Sequence, residues 1–239
     1  MFESNQQSYV RNNGAYASRT AVSAVLKNVY LWMTLALLIS GFTAMVVAGN
    51  AELVAKVFAT RGTLLVLCLV QFGLIWAITA RIGRMSFVTA TLLFLLYSVI
   101  TGVTLSSIFL VFTMDSLASV FFITAGTFAA VSIYGFVTKK DLSSWGSYLL
   151  MGLIGVLIAS IVNWFLASEM LYWIVSYVGV AIFVGLTAYD TQKIKLLANE
   201  CYMADEETQN KVALLGAITL YLDFINLFLY LLRLFGKRK

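Results

Sequence analysis

The chain has no proline, no histidine and only two cysteines in 239 residues. Without proline, any kink in a helix must come from glycine, from Ser/Thr or from water entering between helices. Without histidine, and with Cys68 in an apolar run and Cys201 in a polar loop, the ligands for a four-coordinate zinc site are missing. The same absence argues against His-based catalysis, and the two thiols are not expected to pair. Charge is scarce too: 11% of residues are Asp, Glu, Lys or Arg, against roughly 25% in a soluble domain. In their place stand 61% hydrophobic residues and a mean hydropathy of +0.91. These values describe an all-α integral membrane protein that crosses the bilayer several times.

Residues 1–28 are polar, rich in Asn, Gln, Ser and Tyr, with Arg11, Arg19 and Lys27 outnumbering Glu3. They lack the early apolar core of a secretory signal and read as a cytoplasmic N-terminal tail, disordered or partly helical along the membrane surface. The net charge is +5, but the basic residues are scattered at the ends of apolar stretches and not interleaved with aromatics on a soluble face. Lipid headgroups account for them better than nucleic acid does.

A hydrocarbon core of roughly 30 Å needs about 20 helical residues. Seven stretches satisfy this, at 29–48, 63–80, 87–112, 117–137, 148–165, 171–189 and 212–235, leaving 236–239 as a short basic tail. Short connections after the third and fifth stretches predict antiparallel neighbours there. The seventh stretch is then left without a hairpin partner, and its charge places it inside the bundle. Lys and Arg distribution favours a cytoplasmic N-terminus, with Arg81, Arg84, Lys139, Lys140, Lys193, Lys195 and Lys211 on that side and Lys56 and Arg61 opposite. Arg233, Lys237, Arg238 and Lys239 object to this, because a full seventh crossing puts them outside. A re-entrant segment would remove the objection, but the length of the stretch favours a full crossing.

The seventh stretch carries Asp223 between Tyr221-Leu222 and Phe224-Ile225, and the sixth ends at Asp190. An ionised residue near the middle of a span costs roughly 2.5–3.5 kcal/mol on insertion scales, so it ordinarily has a partner and a job. Two antiparallel helices joined by the polar 199–208 stretch allow the two carboxyl groups to meet. Two such groups in a low dielectric do not both ionise cheaply and tend to share a proton, which makes a pH sensor. Once the proton leaves, the pair attracts a hard divalent cation such as calcium or is relieved by an arginine. Thr187, Thr191 and Asn226 lie within a helical turn of the pair as supporting oxygen ligands, although such side chains more often bond their own helix backbone. Arg81 is the arginine best placed to latch over the pair. Asn163, deep in the fifth stretch, reads as an interhelical hydrogen-bonding residue. Gly152, Gly155, Gly179 and Gly185 read as close-packing positions, and Tyr30, Trp32, Trp145, Tyr148, Trp164, Tyr172 and Trp173 as interface anchors.

Phe183-Val184-Gly185-Leu186-Thr187-Ala188-Tyr189-Asp190-Thr191-Gln192-Lys193 and Leu220-Tyr221-Leu222-Asp223-Phe224-Ile225-Asn226-Leu227-Phe228 closely resemble motifs of the Bax inhibitor (transmembrane Bax inhibitor motif) family. Thr101-Gly102-Val103-Thr104-Leu105-Ser106-Ser107 and Lys139-Lys140-Asp141-Leu142-Ser143 extend the resemblance, and the compact chain looks like a bacterial member. The resemblance implies seven transmembrane helices, three hairpins around a central C-terminal helix. It also implies a pH-dependent calcium leak in which Asp190 and Asp223 are the paired aspartates, contacted by an arginine that Arg81 matches. Calcium is then cargo and no cofactor is expected; lipid, calcium, protons and other membrane proteins are the implied partners, and a bacterial inner membrane the implied location. From another class, the chain would regulate membrane proteins such as a quality-control protease. A third reading is an intramembrane aspartyl protease, but Asp223 has bulky neighbours where that chemistry needs glycines.

Overall fold

The computed structural model describes the backbone of residues 2–58 and 60–239 and the side chains of residues 22–58, 60 and 62–239. The side chains of Arg11, Arg19 and Arg61 therefore lie outside the described residues. The helices are α1 (Phe2–Ala48), α2 (Ala51–Phe58), α3 (Arg61–Arg81), α4 (Phe87–Val111), α5 (Met114–Val137), α6 (Ser143–Leu166), α7 (Glu169–Glu200) and α8 (Glu206–Phe235), with one 3-10 turn at Ile82–Arg84. Seven of them are long and apolar enough to cross a membrane, and only the short α2 is not.

Local chemistry starts these helices where the sequence offers an oxygen. Ser86, Ser168 and Asp205 accept from the backbone N–H three residues on, at the starts of α4, α7 and α8. The boundary drawn at residue 28 falls inside α1, which runs unbroken through it. Val22, Val25 and Leu26 are buried. An apolar helix face that reaches the core continues as helix, because breaking it would expose unpaired backbone groups.

α8 is the centre. It packs against α1, α4, α5 and α7, whereas α3 packs chiefly on α4, and α6 on α7. The pairing of neighbours departs from expectation in one place. α6 and α7 do lie together as a hairpin, but α4 and α5 do not pack along each other; α4 lies on α1 and α3, and α5 on α7 and α8. Their link, Phe112–Thr113, is extended, and the C-terminal residues lie against it. Thr113 N–H donates to the Lys237 carbonyl (3.1 Å) and Lys239 N–H to the Val111 carbonyl (2.9 Å). With α8 touching both α4 and α5, the short link opens rather than closes the pair. The basic C-terminal residues are consequently folded onto this link and are not a free tail.

α8 is one continuous helix, so its two ends reach opposite ends of the bundle; the re-entrant alternative does not occur. One end of the bundle holds the Ile82–Arg84 turn, the α5–α6 connection and the α7–α8 loop. Phe87 N–H donates to Glu207 (3.4 Å) there, and Gln192 grips the α5–α6 connection. The other end holds the α4–α5 link, the α6–α7 turn and the C-terminus.

Candidate functional site

Close helix approach places the first aspartate. A Cβ on Gly135 of α5 would run into the backbone of Ala188, and one on Gly146 of α6 would lie 2.5 Å from the Tyr189 ring. At Gly135 the clash is with backbone, so only glycine lets α7 settle this close to α5, while at Gly146 the tyrosine ring fills the space a Cβ would take. Asp190, the next residue, is half-buried and turned to α8. There its carboxyl group is a neighbour of that of Asp223. Asp223 is 5% exposed, and its Oδ2 has no hydrogen-bond partner. A buried polar oxygen without a partner costs about 1–3 kcal/mol, more when charged, and the acidic neighbour of this one is Asp190.

The expected latch is not made. Arg81 is exposed at the end of α3, and the ion pairs among the described residues are Lys56–Glu52 and Lys211–Glu207. α3 is held chiefly against α4, with Gln71 Nε2 donating to Thr104 Oγ1 (2.6 Å). The positive charge beside Asp190 is instead Lys193, one turn along the same helix, whose ammonium lies 5.9 Å from the Tyr189 ring centroid. The i,i+3 spacing in Asp190-Thr191-Gln192-Lys193 was the available signal for it.

The supporting side chains donate to their own helix backbones and keep their oxygen lone pairs. Thr187 Oγ1 donates to the Phe183 carbonyl and Thr191 Oγ1 to the Thr187 carbonyl, both at 2.7 Å, and Asn226 Nδ2 donates to the Leu222 carbonyl at 2.8 Å. Among the described residues no group of three or more acidic or thiol side chains gathers to hold a metal. The α7–α8 acids are occupied. Asp205 caps α8 through Thr208, whose hydroxyl and N–H hold its carboxyl below the usual carboxylate range, and Glu207 pairs with Lys211 at 3.0 Å.

Two contacts near the pair were not legible beforehand. Gln192 Oε1 accepts from Leu142 N–H and its Nε2 donates to the Lys140 carbonyl, each at 2.8 Å. Lys195 Nζ donates to the Phe136 carbonyl at 2.7 Å. The segment that carries Asp190 is thus stapled to the α5–α6 connection. On α8, one turn-half from Asp223, Tyr221 is fully buried and its hydroxyl lies 2.7 Å from Ser40 Oγ, which in turn donates to the Ser98 carbonyl at 2.7 Å. This chain of hydroxyls joins α8, α1 and α4, and the Phe94 and Tyr97 rings meet Tyr221 edge-on.

Asn163 does not bridge distant helices. Its Oδ1 accepts from Ser168 N–H (2.9 Å), closing the α6–α7 turn where Ala167 sits at φ 49°. Gly152, Gly179 and Gly185 lie against Ile182, Tyr230 and Leu149, as close-packing positions should, while Gly155 has open space around it.

The arrangement has close counterparts. The family model described as "Inhibitor of apoptosis-promoting Bax1" matches residues 22–239. Inner membrane protein YbhL of Escherichia coli (strain K12) is 47% identical over 231 residues, 97% of this chain and 99% of that protein. An uncharacterized protein of Borreliella burgdorferi is 47% identical over 214 residues, 90% of this chain and 92% of its own. Protein RP147 of Rickettsia prowazekii is 43% identical over 213 residues, 88% of either chain.

Proposed function

Because this chain belongs to the Bax inhibitor family of membrane proteins, we propose that it is a pH-sensitive leak for calcium, gated by a proton held jointly by Asp190 and Asp223. The observation that carries the reading is the buried Asp223, with one oxygen lacking any partner and the Asp190 carboxyl against it. With the proton in place the pair is neutral and α7 and α8 stay together. Without it, two unit charges about 4 Å apart repel by about 4 kcal/mol at an effective dielectric of about 20. A repulsion of that size is comparable with the differential energies that switch two-state elements.

α8 is the element that responds, because Asp223 lies on its buried face while Asp190 is anchored through Gln192 and Lys195 to the α5–α6 connection. The doubly negative pair then draws a divalent cation toward the opening, and the Thr187 and Thr191 hydroxyls and Asn226 Oδ1 keep lone pairs to offer it, since their bonds to helix carbonyls use only protons. Arg81 has no part in this resting arrangement, and Lys193 supplies the neighbouring positive charge. The protein is a conduit rather than an enzyme: Asp223 is 5% exposed and flanked by Tyr221 and Phe224, which leaves an extended peptide no approach. We place it in a bacterial inner membrane, by likeness to YbhL, with the Asp190 end of the bundle and the N-terminus facing the cytoplasm, where the basic loops gather.

Calcium flux into proteoliposomes, followed across a pH series for the wild type, Asp190→Asn and Asp223→Asn, tests the proposal. Both variants should lose the pH dependence. An unchanged profile in Asp223→Asn would overturn the leak, and a regulator of other membrane proteins would be the reading left standing.

A further inference from the structure

At the end of the bundle away from the aspartates, a cleft of ≈ 440 Å³ opens between the α6–α7 turn and the C-terminal end of α8. Arg233 and Arg238 both line it, together with Tyr172 and Trp173. Neither arginine is ion-paired among the described residues, where the ion pairs are Lys56–Glu52 and Lys211–Glu207. Arg233 is held in place by stacking, its guanidinium carbon 5.2 Å from the Tyr230 ring centroid and 5.9 Å from that of Tyr172. Arg238 is held by its backbone, which bridges to Phe112 on the α4–α5 link. Two arginines, one at the end of α8 and one beyond it, thus line one hollow with no ion pair among the described residues, and a planar fork of donors suits a phosphate oxygen pair better than any other common anion except a carboxylate.

The hollow does not stop at the headgroup level. A second cleft of ≈ 220 Å³ shares Arg233, Asn163 and Tyr172 with the first and continues past Ser160 to Trp164 and Val175. Trp164, on α6, is 66% exposed. A polar, cationic mouth that runs into an aromatic, apolar groove matches a molecule with a phosphate at one end and hydrocarbon at the other. One acid, Glu169, also stands at the rim. With two arginines and one carboxylate, the mouth has a net positive charge. We propose that this cleft is a binding site for an anionic phospholipid, its phosphodiester between Arg233 and Arg238 and its glycerol and acyl portion along Ser160 and Trp164. The site is separate from the aspartate pair and stands whether or not the chain conducts calcium.

The full chain, purified with an equimolar mixture of phosphatidylglycerol and phosphatidylcholine, is released from detergent in a native mass spectrometer and the retained lipids are counted. The wild type should retain phosphatidylglycerol preferentially. Arg233→Gln and Arg238→Gln should each lower that preference by about fivefold, the effect of one surface cation on an anionic lipid. Glu169→Gln should raise it, a gain that a misfolded variant would not show. Equal retention of both lipids by wild type and arginine variants overturns the proposal. A fall with Glu169→Gln also overturns it, in favour of a zwitterionic headgroup whose ammonium uses that acid. Inorganic phosphate is tested separately on the delipidated protein: if it raises the melting temperature through Arg233 as much as phosphatidylglycerol does, the site takes free phosphate and not lipid.

Discussion

α6 and α8 are both long, apolar helices able to cross a membrane, yet 6% of the α6 span is buried inside the protein and 61% of the α8 span. Hydrophobicity alone does not distinguish them. Lipid tails are as apolar as leucine, so an apolar helix gains little by leaving them for other helices. What drives α8 inward is what would be intolerable in lipid: Asp223 with its free oxygen and the Tyr221 hydroxyl. α6 has no such group at mid-depth and remains at the edge, touching chiefly α7.

Matched truncations on the two helices separate these roles most widely. Leu227 on α8 is fully buried and Leu157 on α6 is 49% exposed. Leu227→Ala should cost about 2 kcal/mol, the low end of the range for buried leucines because lipid offsets the transfer part. Leu157→Ala should stay within about 0.5 kcal/mol. Unfolding in detergent or mixed micelles checks both, and equal losses would break the contrast. A smaller effect sharpens it: Tyr221→Phe removes one hydroxyl while Ser40 keeps its bond to the Ser98 carbonyl, so the loss should be about 1 kcal/mol. The same ring edge contacts remain, so the change reports the polar link of α8 to α1 and α4 alone.

The smallest effect lies where α8 leaves the bundle. Asp205 caps the helix and is held below the ordinary carboxylate value of 3.8 by Thr208. The folded form therefore takes up a proton less readily than the unfolded chain. Its stabilisation is present above that ordinary value and is lost as pH falls below it. Asp205→Ala should lower the melting temperature at about pH 7, and the gap to the wild type should narrow as pH is taken progressively below the ordinary value of 3.8. A gap of equal size throughout would mean that the cap is not carried by the ionised carboxylate.

Asp223 was legible because a carboxylate amid Tyr221, Leu222, Phe224 and Ile225 contradicts its surroundings, and a contradiction in lipid needs a partner. That Asp190 could come near it was legible because chain length permits one return. Arg81 makes no ion pair with either aspartate in this structure: depth in the membrane can be counted along the chain, but lateral position cannot, and α3 packs chiefly on α4. Gln192 was invisible as a staple, since its partners Lys140 and Leu142 are reached only through the packing of α5 and α7. The hydroxyl link from Tyr221 to Ser40 spans 181 residues of sequence and carries no local pattern.

By itself the amino-acid sequence determined the number of spans, the helical class and the two acids that do not belong in hydrocarbon, because a bilayer of given thickness reads length and polarity directly. Which helices touch was decided only in three dimensions. α4 sits on α1 because Gly102 lets the Ser40 backbone approach, and not on α5, to which two residues join it. Among helices with equally greasy surfaces, close contact is chosen by the fit of small residues and a few buried hydrogen bonds, and neither is written in the order of the chain.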